Sequence, residues 1–262
     1  MERIFYAAAS NADVEGMTRI LRNNPNFDVN GRYDGNWTAL IEACAKGHDS
    51  IVSLLLAHPD IDVNLKSRVG ATPLSYACGG STSCVRLLLK DSRVKVNEPD
   101  KVGYTPLLWA VTDSQLDIIK WWIASGREMD LGRPGDPYKT DAIGVARRTG
   151  KQEVVTLLES FRRDSAQTRH AVRVELGLLD EAAAEVFALV VFVSDGLLQV
   201  KDTTPSPAAR FFSIVAQLPL ELQMVLCYRV VGSPKEIIPG KESEAAFKEL
   251  ARRLVWSSFF TD

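Results

Sequence analysis

Residues 63–78 read VNLKSRVGATPLSYAC, and residues 96–111 repeat the same pattern as VNEPDKVGYTPLLWAV. In both stretches a threonine, Thr72 or Thr105, stands directly before a proline. A threonine hydroxyl can accept a hydrogen bond from a free backbone N–H at a helix start, and a proline in the next position leaves no N–H unpaired. The two stretches therefore predict a helix that begins after each threonine.

A turn comes before each of these helices and recurs at a fixed distance. Gly70 and Gly103, two residues before the threonines, suit a turn with positive φ. An asparagine marks the start of each turn, and its side chain can hydrogen-bond its own backbone there. The marker positions are separated by 34, 33 and 33 residues, at Asn30, Asn64, Asn97 and Asp130. A period near 33 with the phrase T-P-L-x-x-A is the signature of ankyrin repeats.

The chain thus resembles the ankyrin-repeat family over about residues 2–160. The resemblance implies a mainly α solenoid, in which helix-turn-helix units are joined by β-hairpin turns. We predict a repeat domain over 1–161 and a C-terminal all-helical domain over 162–262, which packs on the last repeat. The repeat domain is expected to contain an N-terminal cap at 1–34, repeats at 35–69, 70–102 and 103–140, and a degenerate repeat at 141–161.

Several positions depart from the repeat pattern in ways that physical chemistry permits. Asn36 occupies the turn-glycine position of the first repeat, and asparagine tolerates the left-handed conformation. Asp141 stands where threonine would be and is a competent helix cap. Trp121 and Trp122 replace core leucines, so at least one of them is expected in the core.

Composition restricts the classes of partner and compartment. The chain has 262 residues, is 24% charged and has a net charge of −2, which disfavours general attraction to nucleic acid or anionic membranes. The longest apolar run, Val186–Val193, has eight residues, against about 20 for a membrane span. The cysteines follow no metal or redox spacing, and residues 1–10 do not resemble a secretion signal. We therefore expect a cytoplasmic monomer, with a nuclear location left open.

Catalytic motifs are not found in the sequence. It contains no H-E-x-x-H, G-x-S-x-G, C-x-x-C or glycine-rich dinucleotide loop, and its three histidines, His48, His58 and His170, are scattered. We expect a non-enzymatic protein with no catalytic residue, no metal site and no cofactor.

The family resemblance implies a binding surface instead. In ankyrin repeats the concave face, formed by hairpins and first helices, contacts protein partners through variable positions that flank the turn glycine and continue onto the first helix. Carried onto this sequence, those positions are Tyr33, Asp34, Trp37, Lys66, Arg68, Tyr76, Lys101, Tyr104 and Trp109. Tyrosine and tryptophan are frequent interface hot spots. The alternative is that the aromatic side chains pack between neighbouring first helices.

The last hundred residues follow a different plan. Helices are predicted at about 165–179, 181–193, 208–217, 219–231 and 242–256, with a break at Thr203–Pro207. Leu222, Val225, Leu226 and Arg229 fall on one face of the fourth of these helices, as Phe247, Leu250 and Leu254 do on the fifth.

Residues 218–256 also resemble an F-box, because Leu218, Pro219, Leu220, Glu221 and Leu222 form an L-P-x-E-L opening before an apolar helix. The resemblance implies a ubiquitin-ligase adaptor protein as a partner and these five residues as its binding site. The central GSPKEIIPGK at 232–241 departs from the F-box pattern. The alternative is that Pro219 only starts a helix in a bundle that caps the repeats.

Overall fold

The computed structural model describes residues 1–132, 141–194, 211–212, 214–233 and 238, together with 242–243, 245–246 and 248–249. The chain divides into two compact units, Met1–Val172 and Arg173–Asp262. The described residues are mostly helical and include no β-strand. The predicted α-helical fold class is therefore confirmed.

The first unit is a stack of helix pairs. First helices pack on the first helices of the neighbouring pairs, and second helices pack on second helices in the same way. This is the predicted solenoid. The pairs are α1 (Glu2–Ser10) and α2 (Val14–Asn23), α3 (Ala39–Lys46) and α4 (Asp49–Leu56), α5 (Pro73–Cys78) and α6 (Thr82–Lys90), α7 (Pro106–Thr112) and α8 (Leu116–Ser125), and α9 (Ala142–Arg148) and α10 (Gln152–Arg163).

The predicted helix caps are present in the structure. The side chain at each cap position accepts a hydrogen bond from the backbone N–H three residues later, which satisfies one of the free amides of the helix start. The predicted caps are Thr72 before α5, Thr105 before α7 and Asp141 before α9, and Thr38 caps α3 in the same way.

The predicted turn geometry is also observed. Gly70 and Gly103 have φ angles of 86° and 87°, and Asn36 has a φ of 61°. Gly70 is constrained by space as well, because a Cβ atom there would lie 2.7 Å from the backbone nitrogen of Lys101. Consecutive hairpins thus approach each other closely at this glycine.

The marker asparagines differ from the expectation that they bond their own turn. The Asn30 side chain donates to Asp60 O and accepts from Asp62 N, both at 2.8 Å. Asn64 repeats this with Arg93 O at 2.9 Å and Lys95 N at 2.8 Å. An aspartate two residues earlier already accepts a hydrogen bond from the backbone N–H of each asparagine. The asparagine side chain instead connects one repeat to the next. Each such bond contributes about 1 kcal/mol.

The two tryptophans of α8 have different surroundings. Trp122 is fully buried, and its Nε1 donates to Glu128 O at 3.1 Å, so the prediction of a core tryptophan is confirmed. Trp121 is half-buried, and the Cζ of Arg86 lies 3.8 Å from its ring centroid. A cation–π contact therefore joins α6 and α8, two consecutive second helices.

The first unit extends eleven residues past Phe161, the predicted end of the repeats. The helix α11 (Ser165–Glu175) follows α10, and its Thr168 and Val172 are buried. Arg169 Nε donates to Ile123 O of α8 at 3.2 Å. The start of α11 thus belongs to the repeat unit, whereas the packing of the remaining C-terminal helices on the last repeat stays a prediction.

The second unit is built around α12 (Leu178–Ser194) and α13 (Leu220–Val230), which pack together. The face of α13 that was singled out in the sequence is only partly buried, because Leu222 and Arg229 are exposed and Val225 and Leu226 are half-buried. The buried residues of this helix are Gln223, Cys227 and Tyr228. Apolar residues occur on every side of α13, so their spacing does not identify one face. Thr203–Pro207, Phe247, Leu250 and Leu254 lie outside the described residues.

Candidate functional site

Four of the predicted site residues form a line of rings along the repeats. The ring centroids of Trp37 and Tyr76 are 4.7 Å apart, those of Tyr76 and Trp109 are 6.3 Å apart, and those of Tyr104 and Trp109 are 6.2 Å apart. We call Trp37, Tyr76, Trp109 and Tyr104 the aromatic row. It joins three consecutive repeats through side chains that stand beside or within their first helices.

The position of each ring follows from the repeat register. Trp37 and Tyr104 directly precede a capping threonine, and Tyr76 and Trp109 lie four residues after one. In the second repeat the position before the threonine is Ala71, which is fully buried. Because Ala71 has no ring, Trp37 meets Tyr76 of the second repeat directly.

The rings of the aromatic row are half-buried. The Tyr76 hydroxyl donates to Ser67 Oγ at 3.1 Å, which ties the ring to its own hairpin. Trp109 Nε1 is buried and has no hydrogen-bond acceptor among the described residues. The rings thus pack on one another, as the packing alternative expects, and they also keep exposed surface. Their role in binding stays a prediction.

Tyr33 connects the row to the N-terminal cap, because its backbone N–H donates to Trp37 O at 2.7 Å while its ring packs on the cap. It is 40% exposed, and its ring stacks on Tyr6 with centroids 4.7 Å apart. The Tyr6 hydroxyl donates to Glu42 Oε2 at 2.6 Å, and the Ser10 hydroxyl donates to Glu42 Oε1 at 2.7 Å. Burial and the hydrogen bond to Glu42 raise the pKa of Tyr6 well above its usual value. Glu42 occupies the helix position of Tyr76 and Trp109, a signal available in the sequence that the prediction missed.

The predicted charged residues fall into two groups. Lys66 pairs with Glu98 at 2.8 Å, and this lysine holds the pKa of the Glu98 carboxyl below its usual range. Asp34, Arg68 and Lys101 share one position in three consecutive hairpins and are exposed. Among the described residues, neither Arg68 nor Lys101 has an ion-pair partner.

The hairpins that carry these charges are hydrogen-bonded to one another. Arg68 N donates to Gly35 O at 2.7 Å, and Lys101 N donates to Val69 O at 3.0 Å. Within one hairpin, Ser67 N donates to Ala71 O at 3.0 Å. The backbone beside the aromatic row is therefore held in place by hydrogen bonds, so a ligand at this surface would lose little conformational entropy in ordering it.

The five residues predicted to contact a ligase adaptor surround the start of α13. Leu220 and Leu222 are 53% and 50% exposed. Pro219 is the exposed cap residue of the helix, and Leu218 is half-buried. The side chain of Glu221 lies outside the described residues.

The metal-ligating and thiol side chains of the described residues are dispersed or buried. No group of three or more His, Cys, Asp or Glu side chains within it could hold a metal ion. Burial raises the pKa of the cysteine thiols, to about 11 for Cys227, which makes them poor nucleophiles. None of the described helices combines the length and apolarity of a membrane crossing.

Comparison with known proteins agrees with the repeat geometry. The family model for ankyrin repeats in three copies matches residues 4–100 and, in an overlapping match, residues 59–133. The putative ankyrin repeat protein YahD of Escherichia coli (strain K12) is 41% identical over 70 residues, which are 27% of this chain and 34% of that protein. The chain thus spans about a third of the length of this relative. The matches and the stacked, capped helix pairs show that the chain belongs to the ankyrin-repeat family.

Proposed function

We propose that this protein is a non-enzymatic scaffold that binds a protein partner through the concave surface of its repeats. The observation that supports the proposal is the aromatic row. Its four half-buried rings join three repeats beside a hydrogen-bonded set of hairpins. Ankyrin repeats as a family are protein-interaction modules, and residues 4–133 of this chain match the ankyrin-repeat model.

The row has the chemistry of an interface core. Tryptophan and tyrosine bury a large area with few rotatable bonds, so they dominate binding energies when a partner covers them. Their mutual packing holds the rings in place before a partner arrives. We expect Trp37 and Tyr104 each to contribute more than about 1 kcal/mol to binding.

The experiment compares partner recovery by variants of the full chain. Affinity purification followed by mass spectrometry is carried out with wild type, the double variant Trp37→Ala with Tyr104→Ala, and the control Trp121→Ala. Trp121 is a half-buried tryptophan on a second helix, so the control removes a similar ring elsewhere.

We expect the same partners with wild type and Trp121→Ala and at least about tenfold less partner with the double variant, because more than 1.4 kcal/mol is lost. Equal recovery by the double variant would contradict the proposal. Circular dichroism at the assay temperature verifies that each variant is folded.

A second candidate function is that of a substrate adaptor for a cullin-type ubiquitin ligase. The exposed Leu220 and Leu222 at the start of α13 favour it, because exposed leucines beside the L-P-x-E-L opening are available to an adaptor protein. If this function is correct, ligase subunits will co-purify with wild type and will be lost from the Leu220→Asp, Leu222→Asp double variant. Purification of the full chain without any ligase subunit would exclude it.

A further inference from the structure

Two consecutive hairpins carry the same exposed pair of residues, a cation followed by valine. The pairs are Arg68 with Val69 and Lys101 with Val102. Val69 and Val102 are 53% and 64% exposed. The corresponding positions of the first hairpin are Asp34 and Gly35, so the repeated pair is confined to the hairpins beside Tyr76, Trp109 and Tyr104.

The acidic groups of these hairpins are already engaged. Glu98 pairs with Lys66 at 2.8 Å. Asp100 Oδ1 accepts from the backbone N–H groups of Val102 at 3.0 Å and Tyr104 at 2.8 Å. Arg68 and Lys101 have no ion-pair partner among the described residues, so the edge of the aromatic row carries two available positive charges.

The packing of consecutive repeats indicates the distance between the two cations. Arg68 N donates to Gly35 O and Lys101 N donates to Val69 O, so consecutive hairpins are directly adjacent. Their first helices pack on one another, and packed helices are about 8–10 Å apart. Equivalent residues of consecutive hairpins, such as Arg68 and Lys101, are therefore separated by about that distance.

One extended peptide conformation has this period. A polyproline II helix has three residues per turn and advances about 9.3 Å per turn, so residues three apart point to the same side. A β-strand covers a similar distance in three residues, but residues three apart then point to opposite sides. Polyproline II segments also bind preferentially in grooves lined by aromatic side chains.

We infer that the aromatic row, together with Arg68 and Lys101, binds a proline-rich partner segment in the polyproline II conformation that carries acidic residues three positions apart. The prolines pack on the rings, and two carboxylates pair with Arg68 and Lys101. This inference rests on the proposed function and specifies the chemistry of the partner.

The test uses the full chain and three fluorescent synthetic peptides, measured by anisotropy at low salt. The peptide (Pro-Pro-Glu)4 places every glutamate on one side of a polyproline II helix. The peptide (Pro-Pro-Gln)4 keeps the backbone conformation without charge, and (Pro-Glu)6 has its glutamates at the wrong spacing. We expect (Pro-Pro-Glu)4 to bind at least tenfold more tightly than either comparison peptide.

Variants of the chain locate the binding site. The Arg68→Glu, Lys101→Glu double variant is expected to lose at least tenfold in affinity for (Pro-Pro-Glu)4. The control, Arg19→Glu with Lys90→Glu, makes the same change in net charge at exposed positions of α2 and α6 and is expected to bind like wild type. Equal binding of the three peptides, no binding of (Pro-Pro-Glu)4, or unchanged binding by Arg68→Glu, Lys101→Glu would overturn the inference.

A selection from a random peptide library against the full chain separates this inference from the proposed function. Binders that depend on Trp37 and Tyr104 but carry no acidic residues at three-residue spacing would contradict only the inference. If no binder depends on those rings, the proposed concave binding surface fails as well.

Discussion

The ring of Trp37 lies 4.7 Å from the ring of Tyr76, which belongs to the next repeat. The contact arises because the second repeat has Ala71 where Trp37 and Tyr104 stand in its neighbours. A residue of the candidate binding surface is therefore also a contact between repeats. Substitutions in the aromatic row will change stability as well as binding, so the two effects must be measured separately.

The contact between Trp37 and Tyr76 is testable by a double-mutant cycle. Aromatic pairs contribute about 0.5–1.5 kcal/mol beyond their area burial, so Trp37→Ala and Tyr76→Ala should show a coupling of that size in the free energy of unfolding. The control cycle pairs Trp37→Ala with Trp121→Ala, which should be additive within about 0.5 kcal/mol. Equal coupling in the two cycles would show that no specific ring contact exists.

Tyr6→Phe tests how the N-terminal cap is attached. The substitution removes the hydroxyl that donates to Glu42 Oε2, and Glu42 is only 7% exposed. A hydrogen bond to a charged group contributes about 1.5–3 kcal/mol, so we expect the free energy of unfolding, measured in urea, to fall by that amount. Tyr33→Phe is the control, because the Tyr33 hydroxyl has no hydrogen bond within the described residues. A Tyr6→Phe protein as stable as Tyr33→Phe would contradict the predicted attachment.

Gly70→Ala and Gly150→Ala separate backbone strain from steric clash. Both glycines have positive φ, 86° and 70°. A Cβ atom at Gly70 would lie 2.7 Å from Lys101 N, whereas one at Gly150 would meet nothing within 4 Å. In both variants the free energy of unfolding should fall by about 1 kcal/mol because of backbone strain. In Gly70→Ala it should fall by at least about 1 kcal/mol more because of the clash. Equal losses, measured by urea unfolding, would show that the hairpins do not approach closely at Gly70.

The sequence predicted most of what depends on local chemistry. Caps such as Thr72 and turn glycines such as Gly103 act within a few residues, so the pattern alone determines them. The contacts of Asn30 with the next repeat, and of Tyr6 with Glu42, join residues about one period apart, and their geometry depends on how the repeats stack. The buried face of α13 was unpredictable for another reason, because its apolar residues surround the helix.

The raised pKa values of the buried thiols predict that the stability depends on pH. Burial raises the pKa of Cys227 to about 11 and also raises the pKa values of Cys44, Cys78 and Cys84, against about 8.5 in an unfolded chain. Folding thus favours the protonated thiols. Their stabilising contribution is fully present below about pH 8.5 and is lost as the pH rises toward 11.

We therefore expect the free energy of unfolding to fall between pH 8.5 and 11. In the Cys227→Ser variant, measured at the same pH values, the free energy should fall less steeply with pH. A thiol reagent at pH 8 should leave the folded chain unmodified and label four cysteines after unfolding in urea. Rapid labelling of the folded chain would show that the thiols are accessible.

Hydrogen exchange of the full chain, with and without a ligand recovered by the wild-type protein, locates the binding surface on the repeats. The measurement reports where the ligand binds without any substitution. Binding on the concave surface predicts slower exchange in hairpin residues 33–37, 66–71 and 100–104 and at the starts of α3, α5 and α7, with α4, α6 and α8 unchanged. Protection confined to those second helices or to the unit Arg173–Asp262 would contradict binding on the concave surface.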